Sequence, residues 1–131
     1  MTVHTNIQDA LADLLFRPEV DLAAAVERHF APDYRQRTDG QWADRAGFVE
    51  HIAHLRSLVA SGTVRVIDEL VDGSRYADRH VVEVVKRYGS RVETEVYVFA
   101  EFAPDGRFRT IEETTLMLAG DEADRSLGSA R

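Results

Sequence analysis

The sequence contains no cysteine, which excludes disulfide bonds, thiolate catalysis and zinc sites built on cysteine. It also lacks any apolar run near the roughly 20 residues that a membrane-spanning helix needs. Its first residues, MTVHTNIQDALADLLF, have neither the basic segment nor the small-residue cleavage site of a secretory signal. From these absences we expect a cytoplasmic protein with no membrane partner.

Basic residues are too few to form a face that binds nucleic acid. Lys and Arg together number 16 against 23 Asp and Glu, which gives a net charge of -7. Affinity for phosphate backbones comes largely from a concentrated basic surface, so we expect no nucleic-acid partner. The acidic surface is interpreted as a means of keeping the protein in solution.

The remaining composition is typical of one ordinary globular domain. Hydrophobic residues make up 44% of the chain and charged residues 30%, and 131 residues is a common size for a domain with one core. Because no linker rich in Gly, Ser or Pro divides the chain, we predict a single domain over residues 1–131. Its core should cover residues 7–119, and residues 120–131 are polar enough to form either a loose tail or a cover strand.

Three helices are predicted in the first half, where apolar residues recur every three to four positions. The first two helices end before Pro18 and Pro32, and the third begins after Asp44, a favourable N-cap, and ends by Gly62. A short strand is expected at residues 34–37. The three apolar stripes are Ile7, Leu11, Leu14 and Leu15; Leu22, Val26 and Phe30; and Phe48, Ile52, Leu55 and Val59.

From Thr63 onward the apolar residues alternate, which predicts strands. Four segments are separated by the turn signals DG, GS and PDG. Three helices followed by an antiparallel meander predict an α+β domain with the helices on one face of the sheet. The four segments are TVRVIDEL, YADRHVVEVVKRY, RVETEVYVFAEFA and RFRTIEETTLML.

The turn between the second and third of these strands predicts their register. A two-residue loop, Gly89–Ser90, pairs Tyr88 with Arg91. Because side chains alternate along a strand, this register places His80 and Tyr97 on the same sheet face. The pairs that follow are Val84 with Glu95, Val82 with Tyr97, and His80 with Phe99.

The turn before the last strand predicts a second register. A three-residue loop, Pro104–Asp105–Gly106, with Gly106 in the left-handed conformation closes the hairpin. The register is favoured because it creates an aromatic pair and an opposite-charge pair across the strands. The pairs are Ala103 with Arg107, Phe102 with Phe108, Glu101 with Arg109, Tyr97 with Glu113, and Phe99 with Ile111.

Both faces of the predicted sheet are largely apolar, whereas a sheet with one solvated face alternates apolar and polar residues. We therefore expect the helices to cover one face and a second copy of the chain to cover the other. This predicts a homodimer through the outer face of the sheet. The face that carries His80 is expected to line a pocket for a small apolar ligand.

The sequence resembles the NTF2-like superfamily, and within it the SnoaL-like branch related to polyketide cyclases. The resemblance rests on the segment RHFAPDYRQRTDGQWADRAGFVEHI and on a long-stranded meander that ends in PDGRFRTIEE, and it spans residues 7–119. It implies a cone in which three N-terminal helices pack on a strongly curved, mainly antiparallel sheet. It also implies a mostly apolar pocket, frequent dimers, and catalysis by acid/base groups without a metal or cofactor.

A polar cluster on the face with His80 is the candidate catalytic site. The predicted register makes Tyr97 and Glu113 neighbours, with His80 one pair away. A carboxyl group among apolar side chains should have a raised pKa, which suits a general acid or base. His80 can shuttle a proton near neutral pH, and the Tyr97 hydroxyl can donate to a developing enolate oxygen. We therefore predict that His80, Glu113 and Tyr97 are catalytic.

Four further residues are predicted to bind the ligand. Glu95 and Phe99 share the face with His80, and Tyr34 and Trp42 flank the loop expected at the mouth of the cone, where amphipathic rings suit a hydrophobic ligand. Several alternatives stay open. Glu113 and Tyr97 could simply hydrogen-bond each other or lie at a dimer seam, either loop aromatic could anchor the loop, and a slip of one residue would exchange Glu113 for Glu112.

Two functions are consistent with this sequence. The first is an isomerase or cyclase that uses acid/base residues, without cofactor or metal, on a mostly apolar substrate that contains a carbonyl group. The second is a dimeric ligand-binding or accessory module that catalyses no reaction.

Overall fold

Three helices form one layer of the protein. The computed structural model describes residues 3–121 and 124. Helix α1 (Ile7–Leu11) continues into a π-helical turn (Ala12–Phe16), and helices α2 (Leu22–His29) and α3 (Arg45–Leu58) follow. The three predicted helices are confirmed, and α3 ends at Leu58 because the next strand begins at Val59.

A short polar side chain caps the N-terminus of each α-helix. Each cap accepts a hydrogen bond from a backbone N–H in the first turn, which satisfies a donor that has no partner within the helix. The predicted cap at Asp44 is confirmed. The caps are Asn6 to Asp9 N at 2.8 Å, Asp21 to Ala24 N at 3.2 Å, and Asp44 to Gly47 N at 2.8 Å.

Six strands form one curved sheet against these helices. In spatial order the strands are β2, β1, β6, β5, β4 and β3. All neighbours are antiparallel except β1 and β6. The predicted fold class is therefore confirmed. The strands are β1 (Phe30–Thr38), β2 (Gln41–Asp44), β3 (Val59–Asp72), β4 (Arg75–Lys86), β5 (Arg91–Phe102) and β6 (Phe108–Ala119).

Strand β1 is longer than the short strand predicted at residues 34–37. It starts at Phe30, which helical spacing had assigned to the second helix, and it contains Pro32. Proline within a strand requires an edge or an irregularity. Here the pairing with β6 shifts register between Phe30 and Arg35, so the irregularity accommodates Pro32.

The predicted register between β4 and β5 is wrong. The strands pair Val85 with Arg91, so the loop between them is longer than Gly89–Ser90. The backbone N–H of Arg87 donates to Leu58 O at 2.8 Å, which draws this residue out of the hairpin ladder. The observed register differs from the predicted one by an odd number of residues, so β5 presents its other face to the helices.

This reversal of β5 has a clear packing advantage. It buries the apolar set of the strand and leaves the charged set outside, whereas the predicted register would have placed Glu95 among the helices. The pairs that replace the predicted ones are Val84 with Val92, Val82 with Thr94, His80 with Val96, and Arg79 with Tyr97. The buried set of β5 is Val92, Val96, Val98, Ala100 and Phe102.

The predicted hairpin between β5 and β6 is confirmed at its turn but not beyond it. Gly106 has φ of 90°, Ala103 N donates to Arg107 O at 2.7 Å, and Phe102 pairs with Phe108. An irregularity beside this pair then shifts the register by one residue, so the opposite-charge pair of Glu101 with Arg109 is lost. The pairs observed further along are Glu101 with Thr110, Phe99 with Glu112, Val98 with Glu113, and Tyr97 with Thr114.

An aromatic cluster packs between the helices and the sheet. Phe30 lies 4.7 Å from both Tyr34 and Phe48, and Phe102 stacks on Phe108 at 5.2 Å between ring centroids. All five rings are buried. Aromatic pairs at these separations add stabilisation beyond their buried area.

The π-helical turn after α1 is fixed by a buried carboxylate. Asp13 accepts hydrogen bonds from His29 at 2.7 Å and from Arg17 at 2.7 Å, and Arg56 donates to the backbone oxygen of Asp13 at 2.9 Å. Burial works to raise the pKa of Asp13, but the hydrogen bonds from His29 and Arg17 outweigh it and hold the pKa below its ordinary value. The cluster ties α1 to α2 and α3.

Two expectations concern the chain as a whole. Within residues 3–121 and 124, none of the helices has the length and apolar character required to cross a bilayer. The predicted tail or cover strand at residues 120–131 falls mostly outside the described residues. Among the described residues of this segment, Asp124 forms a salt bridge with Lys86, in which Oδ1 lies 2.8 Å from Nζ.

Candidate functional site

A cavity of about 130 Å³ lies between the helices and the inner face of the sheet. Its walls are mostly aliphatic and aromatic, contributed by α1, the π-helical turn, α3 and the strands β1, β3, β4, β5 and β6. Apolar walls with a few convergent polar groups are the usual form of a small-molecule site. The polar side chains on the walls are Tyr34, Gln36, His51, His80, Thr94, Glu113 and Thr115.

His80 and Asp78 form a buried pair on β4. Alternate residues of a strand share a face, so both side chains point inward while Arg79 points outward to Asp68, at 2.7 Å. His80 Nδ1 lies 2.9 Å from Asp78 Oδ1. A carboxylate at this position accepts the Nδ1 proton, which leaves Nε2 of the neutral ring as the basic nitrogen.

Glu113 occupies the wall formed by β6. It accepts a hydrogen bond from Thr38 Oγ1 at 2.9 Å, and a chain of polar side chains leads back from there into β1. Gln36 Nε2 donates to Thr38 at 3.2 Å, and the Tyr34 hydroxyl donates to Gln36 at 2.8 Å. Tyr34 therefore reaches Glu113 through two intervening side chains, and the chain fixes the orientation of the Glu113 carboxyl group.

The electrostatic environment of the cavity favours the neutral form of Glu113. Burial raises the pKa of this carboxyl group, and the nearby Asp39 and Asp78 act in the same direction. The hydrogen bond from Thr38, and the positive charge of His80 when its ring is protonated, oppose the shift without cancelling it. A carboxyl group with a raised pKa can donate a proton closer to neutral pH than an ordinary glutamate.

Three of the predicted site residues line the cavity. His80 on β4 and Glu113 on β6 share the inner face of the sheet, and Tyr34 lies on β1 with its ring almost completely buried. Burial and the charge on Glu113 raise the pKa of Tyr34 well above its ordinary value, so its hydroxyl stays protonated. The alternative that Glu112 faces the cavity is wrong, since Glu112 is exposed on the opposite face.

The other four predicted site residues lie outside the cavity, which corrects the predicted placement. Tyr97 and Glu95 are on the outer face because β5 is reversed, and they hydrogen-bond each other at 2.7 Å. Phe99 is on the same outer face and is 68% exposed. Trp42 is on the edge strand β2, where Arg35 stacks over its ring at 4.5 Å.

Several residues of the cavity wall or in contact with it were not among the predicted site residues. Asp78 was detectable, because the alternation in Asp78-Arg79-His80 places an acid beside a histidine on one face. Gln36 and Thr38 were not detectable in this way, because they lie in a strand that contains Pro32. His51 borders the apolar stripe of α3 at helical spacing and is buried on the cavity wall.

Solved structures show the class of protein that this architecture defines. AclR from Streptomyces galilaeus, a proposed hydroxylase, has a TM-score of 0.68 at 16% identity, covering 95% of this chain and 83% of AclR. An NTF2-like protein of unknown function from Exiguobacterium sp. 255-15 has a TM-score of 0.67 at 14% identity, covering 82% and 96%. IdmH from Streptomyces antibioticus, a proposed polyketide cyclase, has a TM-score of 0.60 at 21% identity, covering 84% and 90%. The chain therefore has the NTF2-like fold, and the resemblance to SnoaL-like proteins is confirmed at the level of fold.

A relative in sequence shows the family within that fold. An uncharacterised protein of Schizosaccharomyces pombe is 33% identical over 120 residues, which span 89% of this chain and 92% of the yeast protein. The chain belongs to the same family as this yeast protein. No protein-family model matches the chain.

Proposed function

We propose that the protein binds a small, mostly apolar carbonyl compound in its cavity and removes a proton from the carbon beside the carbonyl group. The observation that supports this most strongly is that His80, held by Asp78, lines one apolar cavity together with Glu113. Proton abstraction beside a carbonyl is the first step of isomerisation and of aldol cyclisation. It needs a base and a donor to the enolate oxygen, and side chains can supply both.

His80 is the proposed base. Asp78 holds the Nδ1 proton at 2.9 Å, so the ring presents Nε2 as the nitrogen available to the substrate. The carboxylate also stabilises the imidazolium that forms when Nε2 takes the proton. Asp78 thereby orients the His80 ring and compensates the positive charge of the imidazolium inside an apolar cavity.

Glu113 takes the role that the sequence had suggested for Tyr97. Its pKa is raised by burial, so a larger fraction of its carboxyl group is neutral at a given pH than for an exposed glutamate. A neutral carboxylic acid in an apolar site can donate a hydrogen bond to a developing enolate oxygen. The chain from Tyr34 through Gln36 and Thr38 holds this donor in place.

The volume of the cavity favours a compact substrate. An engineered apolar cavity of about 150 Å³ admits benzene, and the cavity here has about 130 Å³. The description of IdmH as a proposed polyketide cyclase supports enolate chemistry in this fold. A cavity of about 130 Å³ favours a single ring or a short chain as the substrate.

We further propose that two copies associate through the outer face of the sheet. Tyr97, Phe99, Leu116 and Leu118 are 45 to 68% exposed and lie together on β5 and β6. Several large apolar side chains exposed on one face are typical of an interaction surface. A sheet face pairs naturally with a second copy of itself, since a two-fold interface requires a self-complementary surface.

Deuterium exchange tests the proposed reaction without knowledge of the natural substrate. Cyclohexanone and acetophenone fit the volume argument, and incorporation of deuterium beside their carbonyl groups in D₂O is followed by NMR. The wild-type protein should accelerate exchange, and His80→Ala should reduce the acceleration at least about 100-fold. His54→Ala, a matched change at an exposed histidine of α3, should leave it unchanged. Exchange no faster than in buffer, or unaffected by His80→Ala, would contradict the proposal.

A further inference from the structure

A continuous series of hydrogen-bonding groups leads from the cavity to the protein surface. It starts at His80, which is 2% exposed, and passes to Asp78 at 2.9 Å. The other oxygen of Asp78 lies 2.9 Å from the hydroxyl of Tyr76, and that hydroxyl lies 2.6 Å from Glu69 Oε2. Glu69 is an exposed residue of β3.

The strand register explains why these four side chains meet. Tyr76, Asp78 and His80 are alternate residues of β4 and share its inner face. Glu69 lies opposite Asp78 in the β3–β4 ladder, beyond the irregularity that follows Val66. The hairpin therefore places a surface carboxylate at the end of a row of inward-facing polar groups.

Tyr76 is suited to pass a proton rather than only to accept one. Its hydroxyl contacts a carboxyl group on each side, so it can receive a proton from one while it donates its own to the other. Burial, together with the two carboxyl groups, raises the pKa of Tyr76 far above its ordinary value. The phenol therefore keeps a proton in the resting state.

We propose that His80, Asp78, Tyr76 and Glu69 form a proton relay that connects the cavity with solvent. This inference rests on the proposed function, in which His80 takes a proton from the substrate. The relay deepens that function, because it explains how a buried base exchanges its proton with water while the ligand fills the cavity.

The transfer balances as follows in the outward direction. Imidazolium His80 gives its Nδ1 proton to Asp78, which becomes a carboxylic acid. A half-turn of the carboxyl group presents the protonated oxygen to Tyr76, whose hydroxyl accepts that proton as it gives its own to Glu69. Glu69 releases the proton to water, so one proton leaves and every group except His80 returns to its starting charge. The reverse sequence returns a proton to Nδ1.

The relay removes a charge that the cavity solvates poorly. Burial of a positively charged imidazolium ring among apolar side chains is energetically unfavourable unless a negative charge compensates it. Asp78 supplies only part of this compensation while the enolate exists. Export of the Nδ1 proton leaves a neutral ring. Import of a proton to Nδ1, as Nε2 protonates the product, restores the base for the next turnover.

Solvent exchange of the Nδ1 proton in the imidazolium form of His80 tests the relay directly and needs no substrate. The rate is measured by NMR on the ¹⁵N-labelled full chain. Glu69→Gln keeps a hydrogen-bonding group at the surface but cannot bind and release a proton, so it should slow the exchange at least about tenfold. Tyr76→Phe should slow it at least as much, and Glu50→Gln, a matched change at an exposed glutamate of α3, should leave it unchanged.

Equal exchange rates in the wild type and Glu69→Gln would overturn the relay, as would an equal decrease in Glu50→Gln. The Glu69→Gln arm stands even if loss of the buried Tyr76 hydroxyl prevents folding. Failure of the relay and failure of the proposed function are distinguishable. Deuterium exchange into ketones reports on the base itself, whereas this rate reports on the path from the base to water.

Discussion

Glu113 shows how one residue can be costly for stability and useful for chemistry. Its carboxyl group is held by Thr38 on the wall of an apolar cavity, where burial raises its pKa. Ionisation of a desolvated carboxyl group is unfavourable in the folded state, but the same desolvation makes the neutral acid a better donor near neutral pH. A conflict of this kind is common at functional sites.

The sign of this effect gives a prediction for stability against pH. The pKa of Glu113 is higher in the folded than in the unfolded state, so its contribution to stability is full below the unfolded pKa and is lost as pH rises through the folded pKa. Glu113→Gln removes the titration. The variant should therefore be more stable than the wild type at pH 8, with a smaller difference at pH 4.

Thermal unfolding followed by circular dichroism at several pH values checks this expectation. Glu112→Gln is the matched control, because Glu112 neighbours Glu113 in sequence but is exposed on the outer face. A stabilising effect of Glu113→Gln that is the same at both pH values would contradict the raised pKa.

At the scale of elements, the reversal of β5 decides which residues form the site. The length of the hairpin loop before β5 depends on the hydrogen bond from Arg87 N to Leu58 O, a contact between residues far apart in the sequence. Turn chemistry favours a two-residue loop at Gly89–Ser90 and carries no information about that contact. A register error of an odd number of residues then moves a whole strand to the other face.

The element scale also shows what the sequence does predict. The presence of three helices, the cap at Asp44 and the turn at Gly106 depend on local chemistry, and these are predicted correctly, whereas α2 and α3 end earlier than predicted. His80 on β4 and Glu113 on β6 are correctly predicted to share one face. The predicted registers on the two sides of β5 are each wrong by an odd number of residues, so the two errors cancel between β4 and β6. Tyr97 lies on that intervening strand, so its predicted place in the pocket fails.

A pair of identical substitutions tests the orientation of β5. The predicted register places Val96 and Val85 on one face, whereas the structure places Val96 among the core residues at 6% exposed and Val85 outside at 37%. Val96→Ala should lower the free energy of unfolding by about 2 kcal/mol, because it removes buried methyl groups and leaves a cavity. Val85→Ala should cost about 0.5 kcal/mol or less.

Urea denaturation of the two variants supplies the measurement. The difference between Val96→Ala and Val85→Ala is the informative quantity, since both variants lose the same atoms. Equal losses of stability, or a larger loss for Val85→Ala, would contradict the observed orientation of the strand.

At the scale of the whole molecule, the sheet has two functions in this account. Its inner face closes the cavity over His80 and Glu113, and its outer face exposes the apolar side chains that we assign to a dimer interface. The overall fold is predictable because element order and periodicity survive errors of register. The cavity volume is not predictable, because it depends on how closely side chains from eight elements pack.

The dimer gives a prediction at this scale. Phe99 is 68% exposed on the outer face of the sheet, and a charge there would be buried on association. The wild type should sediment as a dimer at micromolar concentration, and Phe99→Glu should sediment as a monomer. Tyr88→Glu is the control, because Tyr88 is 97% exposed beside the β4–β5 hairpin turn and outside the sheet face. A monomeric wild type would contradict the assignment.

The central claim is that one small carbonyl compound binds between His80 and Glu113. The most direct measurement is an NMR titration of the labelled protein with acetophenone, following the ring nitrogens of His80 and the carboxyl carbon of Glu113. Both signals should shift with a common dissociation constant, and the exposed His54 should not respond. If neither signal shifts, or if the changes are confined to the outer face around Phe99, the cavity is not the site.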